Sequence, residues 1–301
     1  MEKNLETNSN LIPLQGLGVN SPSGVRGNLN GPIGIFDSGY GGLTILDKIR
    51  TELPQYDYIY LGDNARTPYG TRSFDVVYKY TLECVTHLFK MGCQLVLLAC
   101  NTASAKALRT IQQNDLPLLD PNRRVLGVIR PTVEAVGDLS TTKHIGLLAT
   151  TGTVQSNSYP LEIQKLYNNI VVTSEACPMW VPLIENNEHT SMGADYFVKK
   201  NIDNLLTADP LIDAIMLGCT HYPLLEQKIQ QHLPANIKIV SQGEIVSKSL
   251  LDYLRRHPEM EMRCTKNGTC NYLTTESVDK FSSSASLFLN HPVEAQHVDL
   301  G

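Results

Sequence analysis

Gln94-Leu95-Val96-Leu97-Leu98-Ala99-Cys100-Asn101-Thr102-Ala103 decides how this chain is read. An apolar run ends on a cysteine, and short hydrogen-bonding residues follow. Such a run reads as a strand buried on both faces, the kind found at the centre of a parallel sheet. A cysteine at its C-terminal end lies where open α/β sheets put their ligand sites. The same order recurs at Ala214-Ile215-Met216-Leu217-Gly218-Cys219-Thr220-His221-Tyr222. Two such cysteines on two similar units can face one ligand from opposite sides. That geometry suits a reaction that removes a proton from one face of a carbon and returns one to the other.

Outward from these stretches the pattern is strand, turn, helix, repeated. Pro32 to Phe36 is a short apolar strand, and Asp37-Ser38-Gly39-Tyr40-Gly41-Gly42 a tight polar turn before a helix over Leu43 to Leu53. Tyr56 to Leu61 is the next strand. Ser73 reads as the N-cap of a long helix that stops at Gly92. A helix over Ser104 to Gln113 and a strand over Val125 to Ile129 follow. A second series opens with the strand His144 to Leu148, the polar turn Ala149 to Thr153 and a helix through Tyr159 to Tyr167. It continues with strands over Ile170 to Thr173 and Asp213 to Leu217. Alternation of this kind gives mainly parallel sheets covered by helices.

The expected architecture is α/β, with two pseudo-symmetric Rossmann-like lobes and the site between them. Residues 31–126 and 242–290 form the first lobe, since the helix Glu244 to Arg255 is expected to fold back onto it. Residues 127–241 form the second. The Asn- and Gly-rich residues 1–30 read as a mobile extension, and 291–301 as a C-terminal tail of the same kind.

The chain has 301 residues, is 42% hydrophobic and 18% charged, and carries a net charge of -5 with a pI of about 5.9. A sizeable core is therefore available and global disorder is excluded. The acidic balance does not favour nucleic acid or an anionic membrane. No apolar run approaches the ~18 residues of a spanning helix. The odd count of 7 cysteines and the lack of a secretory leader point to a reduced, cytoplasmic chain.

A free cysteine usually behaves as a small buried hydrophobe. That reading suffices for Cys84 and Cys93; Cys177 precedes a proline in an irregular stretch, and Cys264 and Cys270 fall in a polar tail without zinc-like spacing. Only Cys100 and Cys219 share a context, which lifts them above it. Asp37-Ser38-Gly39 opens a helix and can meet an anion through backbone N–H groups. Its glycines do not match the dinucleotide fingerprint. With Asn101-Thr102 and Thr220-His221, these loops suit a small anion with a carboxylate. His221 and Asp37 are candidate partners in proton handling. Ser, Thr and Asn are also ordinary turn and cap residues, so the weight lies in several such loops at equivalent strand ends.

These residues resemble a known family. Phe36-Asp37-Ser38-Gly39-Tyr40-Gly41-Gly42-Leu43, Pro68-Tyr69-Gly70, Ala99-Cys100-Asn101-Thr102-Ala103-Ser104 and Leu217-Gly218-Cys219-Thr220-His221-Tyr222-Pro223 are similar to the glutamate racemases of the aspartate/glutamate racemase family. Thr151-Gly152-Thr153-Val154 and Val181-Pro182-Leu183-Ile184-Glu185 fit as well, so the likeness runs in order from about Gly31 to Leu289. It implies an enzyme without cofactor or metal that interconverts L- and D-glutamate, supplies D-glutamate for peptidoglycan, and forms a homodimer. By the same resemblance Cys100 and Cys219 are the two acid/base groups, Cys100 acting on D-glutamate and Cys219 on L-glutamate. Asp37 and His221 assist them. Asp37, Ser38, Tyr69, Gly70, Asn101, Thr102, Thr220 and His221 match substrate-binding positions, and Asp63, Thr151 and Glu185 a second line. One departure stands out: Arg130-Pro131-Thr132 takes the place of acid-Pro-Gly after Gly127-Val128-Ile129.

Three other readings compete. An aspartate racemase would use the same cysteine pair in a shorter pocket. A two-lobe solute-binding protein also clamps small anions, but has no need of paired cysteines. A decarboxylase of the same superfamily would keep only one of them.

Overall fold

The computed structural model describes residues 30–300, so the expected extension at 1–30 lies, but for its last residue, outside the described residues. Among the described residues ten strands form two sheets. The first sheet contains β1 (Ile33–Asp37), β2 (Tyr58–Gly62), β3 (Leu95–Leu98), β4 (Arg124–Gly127), β9 (Cys270–Thr274) and β10 (Ala295–His297), in the order β10-β9-β2-β1-β3-β4. The second contains β5 (His144–Ala149), β6 (Val171–Ala176), β7 (Ala214–Gly218) and β8 (Lys238–Val240), in the order β6-β5-β7-β8. Every pairing in both is parallel.

The central strands are apolar, apart from Asp37 at the end of β1, because both faces are covered. All of β1, β3 and β7 is buried. The order β2-β1-β3-β4 repeats as β6-β5-β7-β8, so the two sheets share one winding pattern. In each, the chain reverses its direction of travel across the sheet between two central strands. Asp37 and Cys100 flank that crevice in the first sheet, and Thr150 and Cys219 in the second. Ligands bind at such reversals because the loops there diverge and leave their backbone N–H groups free.

Local signals account for most helices. Ser73 Oγ accepts from Val76 N at 3.4 Å and starts the helix Phe74–Lys90. Gly92, at φ +94°, lets the chain turn out of it. The helix Gln242–Arg256 packs on Gly42–Glu52 of the first half, as expected, and also on Ile129–Val136.

Several expectations need correction. The strand expected to run to Ile129 stops at Gly127, and Ile129 opens a helix. The helix expected from Ser104 starts at Asn101, directly on Cys100, and breaks at Ala107. The residues around Cys264 and Cys270 are not a polar tail. Cys264 is buried beside Gly31, and Cys270 begins β9, which pairs with β2. Nor do the described residues of the expected tail at 291–301 run free: Ala295–His297 pairs with β9, Val298 N donates to Thr274 O at 2.9 Å, and Val293 is buried. A three-residue strand is too short to show a period in sequence; the open edge of β9 creates it.

Candidate active site

The two cysteines meet at one cavity. A hollow of about 60 Å³ is lined by Cys100 and Ser38 from the first half and by Cys219, Thr220 and His221 from the second. Tyr69, Gly70, Asn101, Thr102 and Thr151 also line it. Of the residues singled out by sequence, Asp37, Asp63 and Glu185 stand behind this wall. A larger hollow of about 760 Å³ lies elsewhere between the halves, but neither cysteine nor histidine lines it.

Cys100 caps the helix Asn101–Lys106, its Sγ accepting from Ala103 N at 3.5 Å. The thiol donates to Ser38 Oγ at 3.3 Å. Burial, with the Asp37 carboxylate adding to it, pushes this thiol up to about 12. It is therefore neutral until something in the cavity offsets the cost of its charge. A ligand ammonium group would do so.

Cys219 sits in a different field. Its Sγ lies 4.0 Å from His221 Nδ1, and His221 Nε2 lies 3.0 Å from Glu185 Oε1. Burial works against charging the imidazole, but the hydrogen bonds to Cys219 and Glu185 outweigh it and raise its pKa to about 10. At neutral pH the ring carries a proton. The His221 and Phe288 rings meet perpendicular to each other with centroids 5.5 Å apart, so the helix Val278–Leu289 packs against the imidazole.

Asp37 ties the halves together. Its Oδ2 accepts from Gly39 N at 2.9 Å and its Oδ1 from Thr220 Oγ1 at 3.3 Å. Burial pushes its carboxyl above the ordinary range, and the His221 charge pulls it part of the way back. Gly41 completes the contact. A Cβ there would stand 2.3 Å from Thr220 Oγ1 and 2.4 Å from His221 Nδ1, so only glycine lets the turn approach the second half this closely.

Asp63 holds the opposite wall from behind. It accepts from the Tyr69 hydroxyl, from Arg66 Nε at 2.7 Å and from Thr275 Oγ1 at 2.9 Å. Thr102 Oγ1 lies 3.0 Å from Thr150 Oγ1, a second polar bridge between the halves. Sequence reasoning missed Cys177 and Pro178 in the cavity wall, since Cys177-Pro178 follows β6 with no motif around it. It also missed a buried cluster of Gln242, Tyr159 and Thr132 behind Asn101.

Comparison with known proteins agrees with this geometry. Residues 41–249 match the family described as Asp/Glu/Hydantoin racemase. The chain is 41% identical over 272 residues to a glutamate racemase from Roseobacter denitrificans, covering 87% of this chain and 98% of that protein. Its fold is similar to the crystal structure of glutamate racemase isoform RacE1 from Bacillus anthracis, with a TM-score of 0.81 and 34% identity, over 89% of this chain and 97% of that one. A glutamate racemase from Francisella tularensis, solved in complex with D-glutamate, matches with a TM-score of 0.79 and 34% identity over 90% of this chain and 98% of its own. Paired thiols at two parallel-sheet crevices and likeness over nearly the whole chain lead to one assignment: the protein belongs to the Asp/Glu/hydantoin racemase family.

Proposed function

We propose that the protein interconverts L- and D-glutamate by a two-thiol mechanism without a cofactor, supplying D-glutamate for peptidoglycan. The observation that carries this reading is the convergence of Cys100 and Cys219, from separate sheets, on one cavity. Relatives about 40% identical over most of the chain are glutamate racemases, which favours glutamate over aspartate. The cytoplasm, expected from the odd cysteine count, and a homodimer, taken from the family likeness, complete the proposal.

With D-glutamate bound, the Cys100 thiolate takes the α-proton. The electron pair of the broken C–H bond moves into the adjoining carboxylate, and the Cys219 thiol gives a proton to the opposite face. The reverse reaction starts with the Cys219 thiolate. The protonated His221 stabilises that thiolate, and the substrate ammonium stabilises the one at Cys100. Backbone and side-chain donors at Ser38, Asn101, Thr102 and Thr220 suit the two carboxylates of the substrate.

The test is to incubate the purified protein with L-glutamate in deuterated buffer, with chelator and without added cofactor. The expected result is loss of optical rotation, with early deuterium in the D-product and little in the remaining L-substrate. Equal early labelling of both would point to one shared base. Faster turnover of aspartate than of glutamate would shift the reading to an aspartate racemase.

A further inference from the structure

Gln242 opens the helix Gln242–Arg256 and is buried behind the cavity with Asn101, Tyr159 and Thr132. These residues come from four elements. Asn101 follows Cys100 at the crevice of the first sheet, Tyr159 belongs to the helix Ser158–Leu166, and Thr132 to Ile129–Val136.

The Thr132 hydroxyl sets the direction of their hydrogen bonds, and a longer contact from Gln242 Nε2 to Asn101 Oδ1 at 3.3 Å runs the same way. Thr132 Oγ1 donates to Val128 O at 2.8 Å, so it accepts from Gln242 Nε2, also at 2.8 Å. The other Gln242 Nε2 hydrogen goes to Tyr159 OH at 2.7 Å. Tyr159 must then spend its own hydrogen on Asn101 Oδ1, at 2.6 Å. Asn101 Nδ2 closes the circuit by donating to Gln242 Oε1 at 2.6 Å. Flipping either amide alone would set like atoms against each other at the 2.6 Å contact between Asn101 and Gln242 in a buried site, which is costly. One Asn101 Nδ2 hydrogen remains for the cavity.

We propose that Gln242 is a positioning residue for glutamate: with Tyr159 and Thr132 it locks the Asn101 amide so that its free N–H meets a substrate carboxylate. This rests on the racemase reading above. Asn101 is bonded to Cys100, so the same lock steadies the start of the helix that the thiol caps. Thr132 supplies the oxygen that fixes the direction of the whole circuit.

A double-mutant cycle tests this. Gln242→Met keeps the bulk and removes the polar contacts. The expected effect in the otherwise wild-type protein is a rise of about tenfold in KM for both L- and D-glutamate, the size of one lost hydrogen bond to a charged group. kcat should change by less than about threefold, because neither thiol is touched. In an Asn101→Ala background, the same substitution should change KM by less than about twofold. Tyr159→Phe removes a single hydroxyl and enters the same cycle should Gln242→Met fail to fold. Equal KM effects in both backgrounds, or an unchanged KM, overturn the positioning role. A wild-type protein that does not turn over glutamate overturns the functional reading instead, and the positioning role with it.

Discussion

His221 Nε2 lies 3.0 Å from Glu185 Oε1, while Nδ1 of the same ring faces Cys219 Sγ at 4.0 Å. The imidazole is therefore held between a carboxylate and a thiol, with burial closing off water. No equivalent histidine contacts Cys100 among the described residues. Its thiol meets a serine hydroxyl and a backbone N–H instead. The two halves share a winding pattern but not a charge pattern, so the two thiols differ in how their charged forms are stabilised.

This pair has a pH signature. The folded pKa of His221, about 10, lies above its ordinary 6.5. Between those values the folded state keeps a proton that the unfolded chain releases. The contribution to stability is thus complete below 6.5 and disappears as pH rises through about 10. Glu185→Gln removes one of the supports. Urea unfolding from pH 6.5 to 10 should show the wild-type advantage over this variant shrinking as pH rises. Parallel curves would mean that Glu185 does not hold the proton on His221.

Cys100→Ser and Cys219→Ser should each reduce racemization by at least about a thousandfold, near the upper range for losing a general base. Both should stay folded, since hydroxyl and thiol are close in size. With a substrate analogue that expels a β leaving group after deprotonation, only the first proton transfer is needed. Cys219→Ser should then still process the D form, and Cys100→Ser the L form. Near wild-type racemization by either variant would sink the paired-thiol mechanism.

Gly41→Ala forces a methyl group against Thr220 and His221. Overpacking of this kind costs about 1–3 kcal/mol. kcat/KM for glutamate should fall by more than about tenfold, because the strain separates Asp37 from Thr220. Thermal unfolding and steady-state kinetics on the same preparation check both parts; full activity would show that the turn can move aside freely.

Removing residues 291–301 should lower stability by about 2 kcal/mol or more, the scale of losing one well-buried aliphatic side chain. The truncation deletes β10 and takes away Val293, with Val298 and Leu300, which pack on the core. An unchanged urea midpoint would show that the strand adds nothing to the sheet.

Much of this protein is determined by its sequence alone. Apolar runs ending in Cys100 and Cys219 are strands because only a doubly covered sheet can bury them, and their matching contexts single out the two thiols that the structure brings to one cavity. Ser73 and Gly92 bound their helix for local reasons, a side-chain cap and a left-handed backbone. What only the tertiary structure decided depends on partners distant in the chain. β10 is too short to show a period and exists because β9 offers an open edge. Asp37 is expected from sequence to handle protons and bind substrate, and Glu185 to stand in a second line; the structure sets both behind the cavity wall, against Thr220 and His221, 183 and 36 residues away. Gln242 has no motif at all. Its role comes from a closed circuit of hydrogen bonds among four elements, and a circuit of that kind exists only once burial has removed the water that would otherwise satisfy each group separately.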